Sequence, residues 1–163
     1  MAAADEAVRM ILANRWAALA TVDEDGAPAG SMVAYAPEGG AASLLLFLSG
    51  LAPHTRHLLA SGRAAVVVSD PDPGEDDPQT LSRVAATGLV RPIARTDPDF
   101  DAAFAVYVDR FPDARARLAL PDFVLFRLSV AEARYVGGFA RAATVPGTAL
   151  GAGGLAPDGP IGL

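Results

Sequence analysis

The chain has 163 residues, enough for one domain with a substantial core, and 52% of them are hydrophobic. It has no cysteine, and all 13 of its basic residues are arginine. Those absences remove disulfides, thiolate catalysis, cysteine-ligated zinc, iron–sulfur clusters, Schiff-base lysine chemistry and the Walker phosphate loop. A formal net charge of −6 argues against a nucleic-acid surface, which needs a broad basic face.

No apolar run is long enough to span a bilayer, and the first residues, with Asp5 and Glu6, lack a basic-then-apolar signal pattern. A cytoplasmic protein is the expectation. Asp5–Arg15 has the spacing of a short amphipathic helix, with Val8, Ile11, Leu12 and the stem of Arg15 on one side. Ala17–Val22 reads as a strand, followed by a hairpin turn at Asp23-Glu24-Asp25-Gly26, where glycine supplies a positive φ. Ala29–Tyr35 is the second strand. Pro37-Glu38-Gly39-Gly40 then turns the chain into a third, Ser43–Leu48, and a three-strand meander is the simplest arrangement.

Pro53 opens a helix to about Ala60, and Gly62 stops it. Ala64–Ser69 is an apolar strand expected to be buried on both faces. Asp70–Pro78 is an acidic, proline-rich segment that reads as a solvated loop rather than a metal site. Leu81–Ala94 alternates as a long strand with a bulge at Gly88. Thr96 or Asp97 caps a helix with Pro98 in its first turn. Phe100, Phe104, Tyr107 and Phe111 then recur at helical spacing, a pattern of core packing rather than cofactor contact. Pro112–Leu118 is a second short helix, and Phe123–Leu128 and Ala133–Val136 are the last strands. From Thr144 the chain is mostly Gly, Ala and Pro, which divides it into a folded domain, 1–143, and a tail, 144–163. The sum is a mainly β protein with peripheral helices: about six antiparallel strands, Greek-key-like, closing into a small barrel.

Within this acidic chain, His54-Thr55-Arg56-His57 is the densest patch of anion-binding groups. It stands where a strand hands over to a short helix, a natural seat for a phosphate. Arg56 is the preferred contact, because a guanidinium meets phosphate through a planar fork. The plainer reading makes Arg56 and His57 ordinary solvated helix residues. His54 and His57 are the only histidines, and no carboxylate lies close to them in sequence, so no metal site is expected.

Three segments carry a resemblance: Gly30-Ser31-Met32-Val33, the stretch from Leu48-Ser49-Gly50 to His54-Thr55-Arg56-His57-Leu58, and Arg134-Tyr135-Val136-Gly137-Gly138-Phe139. Together they resemble the pyridoxamine 5′-phosphate oxidase-like, FMN-binding split-barrel superfamily, nearest its haem-utilisation branch, from about Ala7 to Arg141. The resemblance implies a homodimer of split barrels with FMN in a cleft between subunits. It implies that the third strand and the following helix hold the phosphate. Ser49 matches a hydroxyl facing that phosphate, His54 falls where many relatives carry a lysine, and Thr55 and Arg56 lie beside it. It implies that Ser31, Met32 and Val33 offer backbone groups along the flavin ring. Tyr135 and Arg141 match an aromatic and an arginine that reach the flavin from the partner subunit. Arg83 is a further cofactor candidate, with simple surface placement as the alternative.

The chain also departs from its relatives. The vitamin-synthesising oxidases carry an Arg and a Lys five apart on the second strand, where this chain has Ser31 and Ala36. They place a His two residues after the terminal Arg, where it has Ala143. Those differences argue against true pyridoxamine-phosphate oxidase activity. Haem-degrading relatives use an axial histidine, often C-terminal, and this C-terminal segment has none. The leading expectation is an FMN-dependent oxidoreductase acting on a small-molecule substrate, with neither nucleic acid nor membrane as partner. The alternatives are a haem-binding or haem-degrading barrel and a non-catalytic dimeric flavin-binding barrel.

Overall fold

The computed structural model describes residues 2–138 and 140–151. Phe139 of the third family-like segment and residues 152–163 of the expected tail lie outside the described residues. The elements run α1 (Ala3–Ala13), β1 (Trp16–Val22), β2 (Pro28–Ala34), β3 (Ala36–Glu38), β4 (Ser43–Ser49), α2 (Pro53–Ser61), β5 (Arg63–Ser69), β6 (Ser82–Ile93), α3 (Phe100–Arg110), α4 (Ala114–Arg117), β7 (Phe123–Gly137) and β8 (Ala142–Pro146). One curled antiparallel sheet has the order β2-β1-β5-β6-β7-β4-β3, with β8 also paired to β7. The run β4-β7-β6-β5 is the Greek-key arrangement, and the sheet remains open between β2 and β3, so the barrel is split.

The strand count is eight rather than about six, and the additions have physical causes. The third strand does not continue a meander. Residues 44–48 are buried without interruption, so β4 needs cover on both faces. Leu44, Leu46 and Leu48 point into the barrel with α1, while Leu45 and Phe47 point outward beneath α3. β4 therefore lies against β7, from Ser43↔Ser129 to Ser49↔Phe123, and the short β3 pairs with its other edge. The two last strands merge into one 15-residue strand, β7. The boundary expected at 143/144 falls inside β8. Val145 and Leu150 are core residues, and the Ala41 N–H donates to the Leu150 carbonyl at 2.8 Å.

The bulge foreseen at Gly88 is present. Thr87 pairs with Glu132 and Gly88 with Val130, which leaves Ala131 of β7 as the extra residue. A Cβ on Gly88 would lie 2.0 Å from the Ser129 carbonyl oxygen, so only glycine fits. The aromatic stripe is core packing: the Phe47 ring meets Phe104 and Tyr107 edge-on at 5.1 and 5.9 Å. Helix α3 begins at Phe100, because Asp97 caps a preceding turn instead, accepting the Asp99 N–H. β5 departs from expectation in one respect that matters below. Val66 and Val68 are buried, but Val67 is 36% exposed and its face is bare.

Helix α1 is fastened at its C-terminus, where the last carbonyls have no intrahelical partners. The Tyr35 hydroxyl donates to the Ile11 carbonyl at 2.7 Å in the core, and the Arg110 guanidinium donates to the Leu12 and Asn14 carbonyls. Tyr35→Phe leaves the packing but orphans a buried carbonyl, a loss of about 1–3 kcal/mol. Thermal unfolding should show a melting temperature lower by roughly 3–10 °C. An unchanged melting temperature would remove this fastening from the account.

Candidate functional site

The expected phosphate seat is the turn from β4 into α2. Its backbone is held by a compact set of hydrogen bonds. The Gly50 N–H donates to the Asp122 carbonyl at 2.7 Å, and the Ser49 hydroxyl donates to the Asp122 carboxylate at 2.8 Å. The Leu51 N–H donates to the Ser49 hydroxyl, and the Thr55 hydroxyl donates to the Ser49 carbonyl at 2.6 Å. Thr55 is fully buried. Two of the four expected side chains, Ser49 and Thr55, thus have their hydroxyl protons engaged inside the protein.

Among the described residues no side chain caps α2; Pro53 brings no N–H and the Thr55 N–H donates to the Ala52 carbonyl at 3.1 Å, so of the first three helical residues only His54 keeps an amide for a ligand. Gly62 ends the helix in the left-handed conformation, its N–H donating to the Leu58 carbonyl. Thr55 and Leu58 form the buried face; His54 and His57 are half-buried and Arg56 is exposed. Helix α2 packs against β1 and β2, and the His57 ring nitrogen Nδ1 lies 3.0 Å from the Thr21 hydroxyl. Burial holds the His54 imidazole below its ordinary pKa of 6.5, and the nearby His57 adds to the effect. Arg56 and His57 line a cavity of about 280 Å³ together with Asp23, Glu24 and Asp25 of the first hairpin turn. The cationic patch therefore faces three carboxylates that sequence reading took only as a turn.

β2 stands at one end of the sheet order, so its backbone groups facing away from β1 are unpaired by any described strand. Along it, Val33 is core and Met32 is 47% exposed on the outer face. Ser31 lies opposite Leu19 on the inner face, the face that α2 covers at Thr21. Its hydroxyl is buried and has no partner among the described residues. An orphaned buried hydroxyl suits a polar group of a ligand, whereas the expectation for Ser31 concerned its backbone alone.

The other expected residues fall elsewhere. The Arg83 guanidinium donates to the carbonyls of Gln79 and Leu81, both at 3.0 Å, and so braces the loop before β6. Tyr135 is buried in the barrel core opposite Val84. Arg141 is exposed at the tight β7–β8 turn, where its carbonyl accepts the Gly137 N–H at 2.7 Å and Gly138 has φ +86°. Ser31 and Tyr135 lie four places apart in the sheet order, β2 to β1 to β5 to β6 to β7, but the curl also brings β2 against β4, the strand beside β7. The segment on β2 meets α2 and β4, while the Tyr135 side chain of the third segment is directed into the core. Among the described residues there is no cluster of three or more His, Asp or Glu suited to a metal, and no helix long and apolar enough to cross a membrane.

The outer sheet face was missed. The register sets Met32, Ala18, Val67 and Ala85 in one row, and Gly30, Ala20, Ala65 and Thr87 in the next. Trp16, Val67 and Leu89 are 57%, 36% and 56% exposed. A groove of about 540 Å³ crosses this face, lined by Ala20, Pro28, Ala65, Thr87, Leu89 and others, with Arg63 its one charged side chain. No signal for it stands in the sequence beyond small residues alternating with core positions.

A curled, open antiparallel sheet with α2 across its split end defines a split β-barrel. The chain belongs to the pyridoxamine 5′-phosphate oxidase family, which it matches over residues 3–137. Among curated proteins none matches. A haem-binding protein from Mycobacterium smegmatis is similar at 30% identity and a TM-score of 0.81, over 92% of this chain. The chain spans 60% of that protein's length. The haem storage protein HutZ from Vibrio cholerae (21% identity, TM-score 0.69, 80% of this chain and 91% of that one) shares the fold. So does an FAD-binding protein from Mesorhizobium loti (19%, 0.63, 78% and 89%).

The His54 environment gives a direct check. By proton NMR its ring should titrate below 6.5, and His57→Gln should move the midpoint part of the way back, since burial is the larger cause. The unfolded chain takes up this proton first, so His54 lowers stability progressively as pH falls below 6.5. A His54 midpoint at or above 6.5 would show that the ring is not desolvated.

Proposed function

We propose that the protein is a homodimeric split barrel that binds FMN and serves as an FMN-dependent oxidoreductase. The carrying observation is the buried, partnerless Ser31 hydroxyl on the inner face that α2 covers, with the uncapped α2 terminus and the free Arg56 as neighbouring features of that end of the sheet. These groups suit a ligand with a phosphate at one end and a hydrogen-bonding planar ring at the other. With Ser49 and Thr55 engaged, the phosphate falls to Arg56 and to the side chain and amide of His54. The unpaired edge of β2 is available to the polar rim of the ring. Bound flavin would supply the redox chemistry; the protein's part is to orient it, shield it from water and set the charge around it. Likeness to an FAD-binding protein is consistent with this reading but rests on fold alone.

Dimerisation rests on the bare outer face. Met32, Val67 and Leu89 expose apolar surface in adjoining strands, and β5 has the composition of a strand covered on both sides. A second copy would supply that cover. Its Arg141, exposed at the β7–β8 turn, would also be open to the partner.

A haem reading is kept because the 30%-identical mycobacterial neighbour binds haem and the outer groove is apolar. The visible spectrum of the purified protein, titrated with FMN and with haem, separates the two. A shifted flavin spectrum with no Soret response supports FMN, and the reverse supports haem.

Arg56→Ala should weaken FMN about tenfold to a hundredfold, the worth of one charge-assisted phosphate contact, and leave riboflavin nearly unaffected. Unchanged FMN affinity would sink the phosphate assignment. Val67→Asp should convert a dimer into a folded monomer by light scattering, with a change in the emission of the sole tryptophan, Trp16. A wild-type monomer would refute the dimer.

A further inference from the structure

The same turn contains a feature that works against a doubly charged phosphate. The Ser49 hydroxyl has one proton, and it points at the Asp122 carboxylate. Its acceptor side already receives the Leu51 N–H. The Asp122 carbonyl receives the Gly50 N–H, and Gly50 has no room for a side chain because its Cβ would stand 2.7 Å from that carbonyl. Asp122 is thus locked against the turn by backbone geometry. It is half-buried, and no cation pairs with it among the described residues.

We propose that Asp122 is a selectivity determinant of the α2 seat: it withholds the Ser49 proton from the ligand and sets a negative charge against a phosphate dianion. The inference rests on the flavin reading above. Serine hydroxyls commonly donate to a phosphate, but here the donor is turned to a carboxylate. A dianion entering the turn meets an acceptor-lined wall on that side and must depend on Arg56 and His54 on the other. A ligand with a single or no negative charge loses far less. The seat is tuned away from tight retention of phosphorylated cofactor and toward an exchangeable one.

Flavin fluorescence titrations of the full chain at low salt test this, with FMN and its phosphate-free counterpart riboflavin as probes. Asp122→Asn keeps an acceptor for Ser49 and the backbone lock but removes the charge. It should tighten FMN by roughly fivefold to tenfold and leave riboflavin unchanged. Asp122→Ala also frees the Ser49 proton and should tighten FMN at least as much, provided circular dichroism shows the fold intact; Asp122→Asn serves if it does not. FMN no tighter in Asp122→Asn, or riboflavin tightened equally, overturns the proposal while leaving the flavin reading in place. Ser49→Ala weakening FMN as strongly as Arg56→Ala also overturns it, because Ser49 would then be a phosphate donor. Binding of neither flavin by any of the proteins, wild type included, overturns both.

Discussion

β7 holds the sheet together because it is paired along both edges for nearly its whole length. β6 follows one edge from Leu125 to Gly137; on the other, β4 serves Phe123–Ser129 and β8 serves Glu132–Val136. The change of partner coincides with the bulge at Ala131. A bulge bends a strand and sharpens its twist, which is what one strand needs to belong to two arms of a curled sheet. Two glycines clasp β7 at that point from opposite sides. A Cβ on Gly88 would strike the Ser129 carbonyl, and one on Gly147 would lie 1.8 Å from the Val130 carbonyl. The position of β4, and with it the start of α2 and the whole candidate site, follows from how β7 bends.

This dependence explains which parts of the fold were legible. Local signals were read well: the Asp-Gly hairpin, the Gly62 helix stop, the Gly88 bulge and the aromatic stripe of α3 each depend on a few neighbouring residues. What failed was long-range. Nothing between Tyr35 and Ser43 says that β4 will leave β2 and cross to a strand about 80 residues on. β8 was hidden because Ala142–Pro146 has weak strand character of its own and is ordered by the free edge of β7. The site divided in the same way. His54, Arg56 and the helix start follow from sequence spacing. Asp122 and the carboxylates of the first hairpin turn come to the seat only through tertiary pairing, and neither has a local mark.

The electrostatics of the seat are more balanced than the sequence patch implies. Read as a string, His54-Thr55-Arg56-His57 is cationic. In the fold, Arg56 and His57 share a cavity with Asp23, Glu24 and Asp25, and Ser49 is joined to Asp122. Burial also favours the neutral form of His54. By contrast, the arginine with the best anion partners, Arg127, bridges Glu38 and Asp99 and holds β3, β7 and the start of α3 together, work unrelated to any ligand. In a chain this acidic, whether a basic residue serves the fold or a ligand depends on which carboxylates the topology delivers to it.

The outer sheet face supplies the last step. The inner side of β1 is fully buried and those of β2 and β5 are buried or half-buried, yet the other side presents Met32, Ala18, Val67 and Ala85 in a row that no described helix covers. Sheets of this kind usually alternate apolar-in with polar-out. Here most outward positions are small or apolar; charge enters at Arg63 at the start of β5 and where the rows continue onto β7, with Arg134 beside Ala85 and Glu132 beside Thr87. A contiguous apolar face of that kind is the mark of an interaction surface. A copy of the same chain is the simplest cover, because a two-fold pairing satisfies both faces with one surface.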